Sequence, residues 1–389
     1  MDFITIMGKI WIMFETRLNK VRQKLLEENL NGVLISSVSN IAYLTGYSNF
    51  SKDEREAYIF VGNTFAYIIT DGRYAEAVKK QVPHLKLFQR GDGKSTEDLL
   101  KKHKKGIKSL GIEEDNLTVA EHKIFKKHFK NLKHFTVARS IKTEDEIKKI
   151  EKSCKLGDQT FQYILGKIKK GITEKELAFE IELFIKKNGA ELSFPTIAAF
   201  GANSSIPHHQ TGNDVLGPES SSGRQGQIVL VDMGVKLNDY CSDMTRTLFF
   251  GKPNEKQIKI YETVLEAQQK AVDYINKCLK SGKEIKAADV DGVARKYIIK
   301  KGYPSIPHSL GHGVGLEVHE SPHLSPKSKD ILKMGMVFSI EPGIYIEGFG
   351  GVRSEDLFVL EKNELRTLTK SSRNLAFINP KVSCSNYIA

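Results

Sequence analysis

Residues 226–250 read GQIVLVDMGVKLNDYCSDMTRTLFF. Two apolar runs, IVLVDMG and YCSDMTRTLFF, flank the short polar link KLND, which is the pattern of an antiparallel hairpin. With Leu237 and Asn238 as a two-residue turn, Asp232 falls opposite Asp243, and directly opposed residues have Cβ atoms about 5 Å apart. Like charges so placed repel, whereas a pair of cations between them would make the arrangement favourable. Singly, each aspartate reads equally well as a strand-end or exposed strand residue; together, in an apolar hairpin, they favour a site.

Further along the chain the pattern recurs. GMVFSIEPGIYIEG (335–348) sets Glu341 at the end of an apolar strand, and GGVRSEDLFVL (350–360) sets Glu355 at the head of another. HSLGHGVGLEVHE (308–320) supplies three histidines. His308 and His312 have the spacing that would bring both to one metal on a helix. Gly311, Gly313 and Gly315 argue against a helix there and for an irregular strand whose backbone can approach a ligand closely. The constellation is therefore Asp232, Asp243, a histidine, Glu341 and Glu355. Four carboxylates balance two divalent cations, and oxygen-rich ligation with one imidazole suits Mn²⁺, Co²⁺, Fe²⁺ or Zn²⁺ better than a structural zinc site. Two such ions about 4 Å apart can share a water and bring its ionisation near neutral pH, giving a hydroxide for hydrolysis.

The remaining sequence frames this site. At 389 residues, 40% hydrophobic and 27% charged, the chain reads as a soluble globular protein of two or three domains. The net charge of +12 comes from 59 basic against 47 acidic residues. Much of it lies in scattered lysines at 101–108 and 123–129, which read as solvated faces, so no nucleic-acid partner is expected. Cys154, Cys241, Cys278 and Cys384 are far apart and suggest neither a zinc knuckle nor a disulfide framework; a reducing cytoplasm is the expected location. Residues 1–14 read as a ragged leader, apolar but too short to span a bilayer, and no transmembrane run is seen elsewhere. Helix and strand patterns alternate over 15–140, an α/β domain, with LKLF and LTVA as short strands. Over 141–389 the pattern is α+β, with helices in pairs between β segments. Thr143 with Glu146 and Thr173 with Glu176 have capping-box spacing, opening helices expected to end at Gly171 and near Gly189. Two more helices are expected at 254–281 and 286–301.

VDMG, SDMTRT, HSLGHGVGLEVHE, IEPGIY and GGVRSED occur in this order, and together they resemble the pita-bread-fold dinuclear metallopeptidases, Xaa-Pro aminopeptidase (aminopeptidase P) and Xaa-Pro dipeptidase (prolidase). NIAYLTGY and ITDGRYAEA are similar to the creatinase/prolidase N-terminal domain. The resemblance implies an α+β pita-bread catalytic domain and two divalent metals, Mn²⁺ foremost. It also implies a proline-containing peptide substrate, no membrane association and a homodimer. By position, Asp232 matches a chelating ligand, Asp243 and Glu355 the bridges, and His312 and Glu341 the ligands of the second metal, with Glu341 also exchanging protons. Thr245 would support the metal shell. His208 matches the active-site histidine, although His209 beside it leaves the choice open. His319 would donate to the substrate carbonyl or oxyanion, and His308 would line the substrate pocket. Arg353 and Tyr345 would pair beside the metals, the alternative being that Arg353 simply holds Glu355. Cys241 reads as small buried filler. Other readings are a methionine aminopeptidase-like enzyme, a creatinase-type amidinohydrolase, which lacks the metal ligands, and a non-catalytic basic binding protein on the same fold.

Overall fold

In the computed structural model, which describes residues 3–217 and 226–378, the chain divides between Arg139 and Ser140 into two units. The first is built on a six-stranded mixed sheet in the order Lys86–Gln89, Ala66–Thr70, Ala57–Gly62, Gly32–Ile35, Ser109–Ile112, Asn131–His134. GVLI and AYIFVG are buried at every position because both faces of the central strands are covered, which is why they read as unbroken apolar runs. Leu99, Leu100 and Phe125 from two helices, with Phe129 just after the second, pack against Leu34, Phe60, Ile69 and Ile112 of the sheet.

Two expectations fail in this unit. LTVA is the start of the helix Val119–His128, not a strand. Thr118 Oγ1 accepts Glu121 N–H at 3.2 Å, and the Glu121 carboxylate accepts Thr118 N–H at 2.7 Å, a reciprocal cap that outweighs β-branched preference. The leader is not ragged from Phe3 onward: the helix Phe3–Glu27 runs through it. Its Phe14 is buried and stacks on His84 with ring centroids 5.2 Å apart.

In the second unit the helices come in two contacting pairs, Glu144–Leu165 with Glu174–Lys187 and Glu255–Ser281 with Ala287–Lys300. Capping boxes at Thr143, Thr173 and Asn254 open three of them. The first ends at Gly166 rather than Gly171, whose N–H instead donates to Leu216 O at 2.6 Å. Phe161, Ile164, Leu177 and Ile181 of the first pair pack on Val229, Val231 and Leu248. Those three belong to a four-stranded sheet ordered Phe377–Ile378, Met244–Phe250, Gln227–Met233, Ile197–Phe200. Val264, Ala267, Val290 and Ile298 of the second pair pack on Phe338, Ile340 and Phe358 of a five-stranded sheet. Phe338 is fully buried, and its truncation to alanine would cost about 3–5 kcal/mol. A helix pair on a sheet thus occurs twice, and strand ends of both sheets converge on one place.

Candidate metal centre

Asp232 is the penultimate residue of the strand Gln227–Met233, and its cross-strand partner is Thr245, not Asp243. The turn is one residue later than expected: Leu237 pairs with Tyr240, leaving Asn238 and Asp239 as the loop with φ of 51° and 69°. Positive φ at both central residues is the type I′ turn whose twist suits a hairpin. Every partner therefore shifts by two residues, which preserves the face each side chain occupies. Asp243 lies just before the strand Met244–Phe250, diagonal to Asp232, and both remain on the cluster. Because the strand breaks at Ser242 and Asp243, Cys241 pairs separately with Lys236 and is buried.

Glu341 follows the strand Val337–Ile340, its N–H donating to Leu310 O at 2.8 Å. Glu355 precedes Asp356–Leu360, its N–H donating to Thr245 O at 3.1 Å while Thr245 Oγ1 donates to Glu355 Oε2 at 2.7 Å. His312 is the middle residue of the strand Gly311–Gly313, beside a β-bulge. A Cβ on Gly311 would stand 2.0 Å from Ser339 O, so only glycine allows this strand to sit so close. His312 Nε2 is 3.3 Å from Glu341 Oε1 and 3.6 Å from Asp243 Oδ2. Ligand atoms of three sets, Asp232 with Asp243 and Glu355, His312 with Glu341 and Glu355, and Asp243 with His312 and His319, lie within 4.8 Å of one another. His319 thus comes within ligand reach as well, its ring centroid 4.2 Å from that of His312.

Three buried carboxylate oxygens here, Asp232 Oδ1, Asp243 Oδ1 and Glu355 Oε1, have no hydrogen-bond partner among the described residues. Buried oxygens of that kind are costly unless something positive meets them. Burial, then the charge of Glu355, pushes the Asp243 carboxyl well above its ordinary range; burial, then Glu341, does the same to Glu355. Asp232 is also raised by burial, against the pull of Arg353. Burial would lower His312, but its hydrogen bond to Glu341 and that carboxylate's charge lift it to about 9. Burial would raise Glu341, yet the same contact with His312 holds it at about 2. A cluster of four carboxylates, three of them with a buried oxygen that no donor among the described residues meets, beside the His312 imidazole fits a pair of divalent cations.

A cavity of about 780 Å³ opens on the cluster. Phe194, Pro195 and Ile197 form an apolar side, while His208, His308, His319 and His323 add imidazoles. Arg353 Nη2 donates to Asp232 Oδ2 at 2.6 Å, so Arg353 holds Asp232 and not Glu355. Tyr345 is not among the cavity-lining residues; its hydroxyl stands behind them, 3.0 Å from Arg353 Nη1 and 2.9 Å from His308 Nε2. His209 Nε2 meets the fully buried Glu174 at 2.8 Å, whereas His208 is exposed to the cavity. Sequence reasoning missed several supports. Arg246 donates to Asp356 Oδ1 at 2.5 Å and to Ser371 O at 2.8 Å, and Gln268 donates to Ile340 O at 2.9 Å. The T-R-T and E-D strings carried the first pair, but nothing local marked Gln268. His323, the cross-strand partner of His312, could be found only from the strand pairing.

The signature of metallopeptidase family M24 matches residues 148–362, and that of the creatinase/prolidase N-terminal domain matches residues 17–146. The Xaa-Pro dipeptidase of Pyrococcus horikoshii is 37% identical over 370 residues, covering 92% of this chain and 98% of that protein. Among solved structures, an Xaa-Pro dipeptidase from Bacillus anthracis superposes with a TM-score of 0.83 at 31% identity, over 94% of this chain and all of that one. An X-Pro aminopeptidase from Thermotoga maritima gives 0.77 at 29% identity, over 93% and all of the respective chains.

Proposed function

The chain belongs to metallopeptidase family M24 and carries a creatinase/prolidase N-terminal domain, and from that premise we propose that it hydrolyses the bond between an N-terminal residue and proline. The observation that carries the reading is the set of three buried, partnerless carboxylate oxygens facing one imidazole at the floor of a cavity. Asp232, Asp243, His312, Glu341 and Glu355 would hold two divalent metals, with Mn²⁺ the first candidate and Co²⁺, Zn²⁺ or Fe²⁺ the others. Bound there, such ions would polarise the scissile carbonyl and acidify the attacking water. Glu341 takes the proton of that water and returns it to the departing proline nitrogen. His319 and His208 donate hydrogen bonds to the oxygen that gains charge. Arg353 holds and aims Asp232, and Tyr345 braces Arg353 and His308. The apolar side of Phe194, Pro195 and Ile197 offers the surface that a pyrrolidine ring requires.

The creatinase/prolidase N-terminal domain argues against a methionine aminopeptidase, and the complete donor set argues against a creatinase-type amidinohydrolase. No helix among the described residues is long and apolar enough to cross a membrane. The cytoplasm is the proposed location and a homodimer the proposed assembly. Both Xaa-Pro dipeptidases named above exceed 30% identity, which supports Xaa-Pro dipeptides as substrates. Purified protein with Mn²⁺ or Co²⁺ is expected to cleave Xaa-Pro faster than Xaa-Pro-Yaa. No cleavage of either length with any of the four metals would overturn the function, and full activity in Glu341→Ala would overturn the site.

A further inference from the structure

Lys142 and Glu320 form an ion pair at 2.8 Å with side chains only 1% and 5% exposed. Both residues are fastened through their backbones. Lys142 N–H donates to Gly335 O at 2.9 Å, and Ile141 bridges to Met336. Glu320 opens the strand Glu320–Leu324 and is the cross-strand partner of Gly313. Between Gly313 and Glu320 the chain makes a tight turn folded over the Glu320 carboxylate: a Cβ on Gly315 would lie 2.6 Å from Glu320 Oε1. Gly315 O accepts Cys241 N–H at 2.8 Å, and Gly315 N–H donates to Glu317 O at 2.9 Å. His312 stands before this turn and His319 at its end. The His319 side chain is exposed, and among the described residues no hydrogen bond reaches its ring. Its placement 4.2 Å from the His312 ring is therefore set by the backbone that carries it.

We infer that the buried Lys142–Glu320 pair is a positioning device that fixes the turn 314–319 and so holds His319 within reach of Asp243 and His312. Removing either partner takes a close counter-charge from the other in the interior, a loss that is relieved by moving the turn and admitting water. His319 then loses its place while the carboxylate ligands, which sit on other strands, keep theirs. The kinetic consequence rests on the peptidase reading above.

The test uses the full chain and four variants: Lys142→Met, Glu320→Gln, His319→Gln and Lys142→Met with His319→Gln. With Mn²⁺ loaded, Lys142→Met lowers kcat on an Xaa-Pro dipeptide roughly 10- to 100-fold, with KM and bound metal unchanged. Glu320→Gln, which retains a hydrogen bond to Lys142, lowers it less. In the His319→Gln background Lys142→Met has no further effect on kcat, because it acts through that ring. Independently of activity, the ¹⁵N imidazole resonances of His319 in the Zn²⁺-loaded, histidine-labelled protein shift in Lys142→Met while those of His103 do not. Losses that multiply in the double variant, or an unmoved His319 resonance, overturn the inference. If Lys142→Met does not fold, Glu320→Gln carries both measurements. If the wild-type protein cleaves no Xaa-Pro substrate, the peptidase reading falls and the resonance alone decides the positioning role.

Discussion

Glu174 has no exposed side-chain surface, yet its carboxylate accepts from Phe200 N–H at 2.7 Å, Asn203 Nδ2 at 3.0 Å and Gly212 N–H at 2.9 Å, and meets His209 Nε2 at 2.8 Å. It gathers both ends of the segment that presents His208 to the cavity. The neighbouring histidines should therefore separate cleanly by measurement. His209→Ala leaves part of a buried carboxylate unsatisfied and should lower unfolding free energy by about 1–3 kcal/mol in urea denaturation. Activity per folded molecule should change little. His208→Ala should leave the denaturation midpoint unmoved and lower kcat, by roughly 10²- to 10³-fold if it supplies one oxyanion donor. Equal effects of the two substitutions on stability would refute this division. In the sequence the pair is ambiguous because the discriminating partner, Glu174, is remote in the chain. The carboxylates proposed as ligands are easier to single out, because a charged residue closing an apolar strand conflicts with its own surroundings wherever it occurs.

At the scale of elements, the hairpin shows what local pattern can and cannot specify. Its two strands and the face carrying Asp232 and Asp243 were legible from apolar runs around a polar link. Its register was not, since KLND permits more than one two-residue turn, and the choice of Asn238–Asp239 follows from which residues tolerate positive φ. A two-residue shift keeps both carboxylates on one face, whereas a shift of one would put them on opposite faces of the ladder. Asp239→Gly, which creates the preferred Asn-Gly turn, should raise stability by up to ~1 kcal/mol, and Asp239→Val should lower it by a similar or larger amount. Both are read as shifts in denaturation midpoint at constant slope, and a stabilising valine would contradict the turn assignment. Helix starts at Thr143 and Thr173 are legible from their reciprocal caps, and the structure adds a third such cap at Asn254. Thr118 with Glu121 has the same spacing, but the β-branched residues around it concealed it.

For the molecule as a whole, the metal centre links folding, pH and cation binding. Without metal, Asp243 and Glu355 hold protons above their ordinary range, Asp243 through burial and then Glu355, Glu355 through burial and then Glu341, and His312 titrates at about 9 through Glu341. A group whose folded-state pKa is raised stabilises the fold below its unfolded value and loses that contribution as pH climbs through the folded one. For the two carboxyls the loss begins above about pH 4, and for His312 it runs from about pH 6.5 to about 9. Glu341, held at about 2, behaves oppositely: its contribution is complete above its unfolded value and disappears only in strong acid, so it is constant in the neutral range. The metal-free protein should accordingly lose stability at this site between about pH 5.5 and 8.5, as four carboxylates come to face one another with Arg353 as the fixed cation beside Asp232. Divalent cations bound by the proposed ligands in their deprotonated form would reverse that penalty. The gain in Tm on adding saturating Mn²⁺ should therefore grow with pH, by roughly 5 °C or more across this range. Calorimetric scans of chelator-stripped and metal-loaded protein at several pH values measure it directly. Titration in buffers of different ionisation enthalpy should also show protons released on metal uptake at neutral pH. A Tm gain that is flat with pH, with no proton release, would mean that these carboxylates do not receive the cations.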